Sequence, residues 1–311
     1  MKFLNLTPGF NPYGAKENDI IEFEEFTFSG GEPNIKIRYE YHYDNDPGIS
    51  IRGKISVLIT QRINSGNDLL LLQMAVDAIR RLYLINELYL FIPYFPGARQ
   101  DRVCNEGEAL AVKVYADIIN SMGFNTVVIF DAHSDVTPSL LDNCTVMNNH
   151  RFVGICLNKI YPKITLLEAL SPEDKKGPFL VSPDAGANKK IGYLAKHLYR
   201  LEMEVLKCDK TRDVSTGKIT NFEVYADNLE GRDCIIVDDI CDAGGTFLGL
   251  AKALKAKNAG KLYLIVSHGI FSKGLYKLED IFDHIYTTDS IKTLESENFT
   301  QINLTEALWE I

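Results

Sequence analysis

The segment 234–259 constrains the fold of this chain more than any other. Cys234, Ile235, Ile236 and Val237 make a short buried-strand run that enters two adjacent carboxylates, Asp238 and Asp239. A small-residue stretch follows, Asp242-Ala243-Gly244-Gly245-Thr246, and opens an Ala/Leu-rich helical pattern at 246–259. A strand that enters a Gly-rich turn at a helix start presents backbone N–H groups to an anion, and the helix dipole favours negative charge there. The paired acids stand where they can hold sugar hydroxyls or a metal ion. An ordinary turn capped by Asp242 would use some of these residues, but not the acids, glycines and closing threonine in this order.

The same strand-then-helix rhythm runs through the chain. Apolar strand candidates at 56–59, 88–92, 126–130, 179–181, 234–237 and 262–266 alternate with helical patterns at 67–84, 108–122, 189–199 and 246–259. This alternation predicts an α/β fold with mainly parallel sheets, right-handed crossovers and functional loops at the carboxyl ends of strands. A length of 311 residues suits two domains. VVIFDAHSD (127–135) and CIIVDDICD (234–242) echo each other, as a duplicated domain would. The domains are drawn as 1–152 and 153–297, with a tail at 298–311 able to return to the first. The linker is placed within 148–176, which ends in the polar SPEDKKGP region, and 39–51 reads as a surface loop or irregular hairpin.

Composition removes several classes of function. No apolar run reaches the roughly 18 residues of a membrane helix, and the start, MKFLNLTPGFNPYG, is too soon broken by Pro and Gly for a signal peptide. A cytoplasmic protein with no membrane partner is expected. The cysteines at 104, 144, 156, 208, 234 and 241 form no CxxC pair and no zinc-like spacing, so they read as reduced core residues. A net charge of −9 and a pI near 5.3 argue against nucleic acid as a partner.

Four more segments carry chemistry: FTFSGGE (26–32), IPYFPGARQDR (92–102), FDAHSD (130–135) and VSPDAGANKK (181–190). Arg99 and Arg102 flank Gln100 and Asp101 after a Pro-stiffened strand exit, which gives a fixed guanidinium among polar groups. His133 lies between Asp131 and Asp135 at a strand end, Asp184 follows another strand, and Lys210 and Arg212 lie in the polar stretch KCDKTRDVSTGKI (207–219). Together with 237–246 and SHGIFS (267–272), and in this order, these segments resemble the ribose-phosphate diphosphokinases, the synthetases of phosphoribosyl diphosphate. The resemblance spans about 26–272. PYFPxARQDR sets it apart from the phosphoribosyltransferases, which share the Asp-Asp loop but lack that piece.

The resemblance implies two tandem type I phosphoribosyltransferase-like domains and a definite site. Arg99, Gln100, Asp101 and His133 would bind ATP, with Phe28 and Glu32 bounding the adenine pocket across a subunit interface of a homo-oligomer, a dimer or a hexamer. His133 and Asp184 would hold Mg2+. Lys210 and Arg212 would be the catalytic pair on a mobile loop, stabilising charge in phosphoryl transfer. Asp238 and Asp239 would hold ribose hydroxyls, while Asp242, Ala243, Gly244, Gly245 and Thr246 would cradle the 5-phosphate of ribose 5-phosphate. The implied reaction is attack of the anomeric hydroxyl on the β-phosphorus of ATP, with AMP leaving.

Several positions depart from the family pattern. Gly30 stands where Asp or Asn is usual, and Ala243 replaces a threonine, removing a hydroxyl donor worth about 1 kcal/mol. Val103-Cys104-Asn105-Glu106-Gly107-Glu108 lacks the usual basic run, and Thr137-Pro138-Ser139-Leu140-Leu141 replaces the usual Gln-x-x-Gly-Phe-Phe region. They suggest a divergent member and keep three alternatives open: a larger acceptor such as ADP-ribose, a catalytically silent regulatory homologue, and a phosphoribosyltransferase.

Overall fold

The computed structural model describes residues 1–38, 54–162, 177–198, 203–212 and 219–308. The expected loop at 39–51, residues 163–176 of the expected linker and the end of the helix pattern at 199 lie outside the described residues. Two units divide the chain, Met1–Asn148 and Asn149–Ile311.

In the first unit, β1 (Lys2–Asn5) is followed by a hairpin of β2 (Phe23–Thr27) and β3 (Pro33–Ile37), then by β4 (Lys54–Thr60), α1 (Gly66–Leu82), β5 (Leu84–Ile92), α2 (Ala111–Ser121), β6 (Thr126–Phe130), α3 (Val136–Leu140) and β7 (Cys144–Met147). The strands β1-β4-β5-β6-β7 form one parallel sheet in that order. Ser65 starts α1 with a capping box: its hydroxyl accepts the Asp68 N–H, and the Asp68 carboxylate accepts the Ser65 N–H at 2.6 Å. Leu69, Leu72, Ala75, Val76 and Ile79 then face the core at helical spacing. The hairpin is held on α1 through β3, where Ile35 is buried. Helix α2 begins at Ala111 rather than at 108, because Glu108 is engaged before the helix starts: its carboxylate accepts the N–H groups of Cys104 and Asn105, each at 3.0 Å.

The second unit contains α4 (His150–Ile160), β8 (Phe179–Ser182), α5 (Asn188–His197), β9 (Glu204–Arg212), β10 (Ile219–Val224), β11 (Cys234–Cys241), α6 (Gly245–Ala256), β12 (Leu262–Gly269), α7 (Tyr276–Glu279), β13 (His284–Thr288), β14 (Phe299–Ile302) and α8 (Leu304–Leu308). Its sheet runs β10-β9-β8-β11-β12-β13-β14 and is parallel except for β10, which pairs antiparallel with β9. Strand β12 is buried along its whole length, as a central strand covered on both faces must be.

Two placements differ from the sequence expectation. The unit boundary falls before α4, because Phe152, Val153, Cys156 and Leu157 bury one face of that helix in the second unit, where it packs with α8. The stretch drawn as a tail begins with β14, paired to β13 through the buried Phe299 and Ile302. Of the cysteines, 156, 208, 234 and 241 are buried, 144 is partly buried and 104 is exposed, all with free thiols. Among the described residues, no helix is long and apolar enough to cross a membrane.

Candidate active site

In the second unit the site is built at the carboxyl ends of three adjacent parallel strands, β9, β8 and β11. Along β9, Leu206 and Cys208 are buried and Lys207 is exposed, the alternation of a strand with one core-facing side. Lys210 continues the inward row. Its Nζ forms an ion pair with Oδ2 of Asp184, both side chains being about one-fifth exposed, at 21% and 19%. Asp184 is itself fixed by the turn after β8: its other carboxylate oxygen accepts the Ala187 N–H at 3.1 Å, and its carbonyl accepts the Ser182 hydroxyl at 3.2 Å. A cation and a carboxylate held at this depth are screened less by water than a surface pair.

Strand β11 does not stop at Val237 but runs on to Cys241, so Asp238 and Asp239 stand inside the strand, and their side chains meet. Asp239 is buried and Asp238 partly so. Burial first, then the negative charges of Asp239 and Asp184, push the Asp238 carboxyl well above the usual carboxylate range. That coupling places Asp184, Asp238 and Asp239 in one electrostatic neighbourhood. The Cys241 thiol is also pushed up, by burial and then by Asp238 and Asp242.

The turn that follows depends on Gly244. It is left-handed, with φ 78°, which favours glycine, and a Cβ there would come within 3.1–3.3 Å of the Leu278 side chain, which would have to give way. Gly245 is the first residue of α6, and no atom lies within 4 Å of the place a Cβ would take there. The N–H groups of the first turn of α6 have no acceptor within the helix. They open onto space beside Gly245 and the exposed Ala243. The arrangement can receive a phosphate at the loop, hold vicinal hydroxyls at Asp238 and Asp239, and set an ammonium group across from them.

In the first unit, Arg99, Gln100 and Asp101 follow a tight turn after β5. Gly97 has φ 71° and lies against Tyr115, whose ring would be 2.9 Å from an added Cβ; its carbonyl accepts the Gln100 N–H at 2.9 Å. Ala98 is buried, which turns Arg99 and Gln100 outward, and Asp101 is partly buried. His133, exposed, follows the neighbouring strand β6. It is aimed by Asp131, a buried non-glycine residue at φ 44° whose N–H donates to the Met147 carbonyl at 2.7 Å. Such a conformation costs on the order of 1–3 kcal/mol and persists where the surroundings hold it. Phe28 and Glu32 sit on the β2–β3 turn, where the Phe28 N–H donates to the Glu32 carbonyl at 2.9 Å. Phe26 and Phe28 are 42% and 53% exposed and meet edge to face, with ring centroids 5.2 Å apart. The Glu32 carboxylate fills the space that a side chain at Gly30 would take.

The expectation that Lys210 and Arg212 stand on a mobile loop is corrected: both lie in β9, paired with β10. Their strand escapes a sequence reading because one face of it is charged. Residues 213–218, the rest of that polar stretch, lie outside the described residues. Asp131 and Leu278 were not anticipated. For Asp131 a signal existed, an acid directly after a buried strand; Leu278 is distant in sequence from the loop it supports.

Among the described residues, no three His, Cys, Asp or Glu side chains converge on one metal position. Magnesium nevertheless fits the donor set, since it takes one or two carboxylates and completes its shell with phosphate oxygens and waters. The mutual repulsion of Asp184, Asp238 and Asp239 marks a place where a cation would relieve charge.

Comparison with known proteins matches residues 17–123 to the N-terminal domain of ribose phosphate pyrophosphokinase and 164–307 to the phosphoribosyl transferase domain. The ribose-phosphate pyrophosphokinase of Vibrio cholerae is 29% identical over 293 residues, 91% of this chain and 84% of its own length. That of Buchnera aphidicola from Acyrthosiphon pisum is 28% identical over 274 residues, 86% and 78%. That of a Marinomonas species is 31% identical over 258 residues, 81% and 76%. Among solved structures, the phosphoribosylpyrophosphate synthetase from Mycobacterium smegmatis is similar in fold, with a TM-score of 0.78 and 20% identity, over 98% of this chain and 94% of that one.

Proposed function

From the premise that the chain belongs to the ribose-phosphate pyrophosphokinase family, we propose that it transfers the β,γ-diphosphate of ATP to the anomeric hydroxyl of ribose 5-phosphate, releasing AMP. The observation that carries this reading is the meeting of the Lys210–Asp184 ion pair, the Asp238–Asp239 pair and the open Gly244–Gly245 turn at the carboxyl ends of β9, β8 and β11.

The 5-phosphate would lie on the first turn of α6, held by its N–H groups, its dipole and the Thr246 hydroxyl. Asp238 and Asp239 would accept hydrogen bonds from the ribose hydroxyls and so fix the anomeric carbon. Lys210 would exchange its carboxylate partner for phosphate oxygens, stabilising charge as the bond to the leaving AMP breaks. Arg212 is proposed as its companion. Arg99, Gln100, Asp101 and His133 are proposed to hold ATP, with Phe28 and Glu32 bounding adenine in a homo-oligomer. The proposed magnesium ligands are His133 and Asp184, and the bound ion would neutralise the β- and γ-phosphate oxygens.

A second reading concerns the acceptor. Ala243 is exposed and the space beside Gly245 is open, which favours room for a larger compound built on ribose 5-phosphate, such as ADP-ribose. One assay separates the readings: magnesium-dependent AMP release from ATP with ribose 5-phosphate or with ADP-ribose. Turnover of ribose 5-phosphate supports the first, and turnover of ADP-ribose alone the second. Lys210→Ala should lower the rate about 10²–10³-fold while the chain keeps its fold, as read by circular dichroism. Absence of AMP with every ribose phosphate overturns both, as does conversion of a base and phosphoribosyl diphosphate without ATP.

A further inference from the structure

Gly249 lies inside α6, in a run of good helix formers where glycine costs roughly 0.5–1 kcal/mol relative to alanine. Its surroundings explain it. A Cβ at this position would overlap the Phe222 ring, with Cδ2 at 2.9 Å, Cζ at 3.0 Å and Cε2 nearer still. Phe222 belongs to β10 and stands directly opposite Lys210 in the antiparallel pair. Directly opposed residues project from the same face, with Cβ atoms about 4.5–5.5 Å apart.

The same face holds the next pair, Val224 opposite Cys208, both buried. Phe222 is partly buried against the core of the second unit. Beyond it the register shifts between Asn221 and Ile219, so the regular ladder ends there. Phe222 is therefore the last packed side chain of β10 before the ladder becomes irregular. The helix it packs on is the one that begins at the Gly244–Gly245 turn. The ion pair with Asp184 fixes the charged end of Lys210, and its backbone lies in the ladder with β10, directly opposite Phe222.

We infer that Phe222, seated on Gly249, is a positioning residue for Lys210, setting the distance between that ammonium group and the ribose-phosphate loop. The inference rests on the assignment of Lys210 to the transfer step. Phe222 and Gly249 themselves touch no reacting atom.

The test uses the full chain and the variants Gly249→Ala, Phe222→Ala, Phe222→Leu and the double variant Gly249→Ala/Phe222→Leu. It has two readouts: steady-state AMP release, and hydrogen exchange of the amides at 207–212. Gly249→Ala displaces the ring, and Phe222→Ala removes it. Each should lower kcat about tenfold or more with KM for ATP and ribose 5-phosphate within about twofold, the mark of an interaction that counts in the transition state. Exchange at 207–212 should quicken while α6 stays protected. In the double variant the smaller side chain makes room for the methyl group, so both readouts should return most of the way to wild type, which a general loss of packing would not do. Wild-type kcat and unchanged exchange in Gly249→Ala and Phe222→Ala overturn the inference. So does a loss that the double variant fails to restore. Should Gly249→Ala fail to fold, Phe222→Ala and Phe222→Leu decide by the same readouts. Should the wild type release no AMP, the proposed reaction falls, and exchange decides the anchoring alone: quickening confined to β9 and β10 supports it, and its absence overturns it.

Discussion

Two adjacent glycines, Gly244 and Gly245, should fail in different ways when each is replaced by alanine. At Gly244 the backbone is left-handed at φ 78°, which costs an alanine about 1–2 kcal/mol. Its new methyl group would also press on the Leu278 side chain at 3.1–3.3 Å, an overpacking worth about 1 kcal/mol. The sum, about 2–3 kcal/mol, corresponds to a fall in melting temperature of about 4–12 °C for a unit of this size. At Gly245 the helix has begun and nothing lies within 4 Å, so alanine should leave stability unchanged or slightly raised. Its methyl group would instead enter the proposed phosphate position. Thermal and urea denaturation of both variants, beside KM for ribose 5-phosphate, separate the effects: Gly244→Ala loses stability, and Gly245→Ala keeps stability and raises KM severalfold. Equal stability of Gly244→Ala and wild type would refute the argument that the left-handed turn shapes the loop. An unchanged KM in Gly245→Ala would refute the placement of the phosphate.

Other consequences follow from charge and packing. Because the Asp238 carboxyl is raised by burial, Asp239 and Asp184, the folded chain holds that proton more tightly than the unfolded one. This group's contribution to stability therefore falls as pH rises from the ordinary carboxylate range through its raised value. Asp238→Asn should remove that slope, be more stable than wild type at neutral pH and lose AMP release. Urea unfolding of the two across a pH series checks this, and parallel stability curves would contradict it. Arg232 lies over the Phe179 ring at 3.5 Å and donates to the Gly177 carbonyl and to Glu204, each at 2.7 Å, with 10% of its side chain exposed. Arg232→Lys should cost about 1–2 kcal/mol without changing KM, since Phe179 and Glu204 begin β8 and β9, at the end away from the site.

Much of this architecture is legible in the sequence where strands are buried on both faces. The runs at 88–92, 126–130, 234–237 and 262–266 are apolar without alternation, and each falls within a central strand. Edge and ribbon strands are less visible for a physical reason. Strand β7 exposes Thr145 and Val146, and β9 alternates Leu206 and Cys208 with charged residues, so neither presents a continuous apolar run. The end of β11 is obscured in the opposite way. Carboxylates ordinarily mark a strand's exit, yet Asp238 and Asp239 remain within the ladder, in register with β12 at Val266 and beyond. The site's local pieces, Asp184 and the Gly244–Gly245 turn, carry their own turn chemistry and can be read in place. The pairing of Lys210 with Asp184 and the support of Gly244 by Leu278 are long-range contacts, which no local pattern encodes.

The proposed chemistry is attack by the anomeric oxygen of the sugar on the β-phosphorus of ATP, and following that oxygen tests it most directly. Ribose 5-phosphate carrying oxygen-18 at carbon 1 should give phosphoribosyl diphosphate with the label in the bridge between carbon 1 and phosphorus, and AMP with none, as read by phosphorus NMR and mass spectrometry. Label in AMP, or label-free product recovered beside ribose 5-phosphate that still carries its label, would contradict diphosphate transfer.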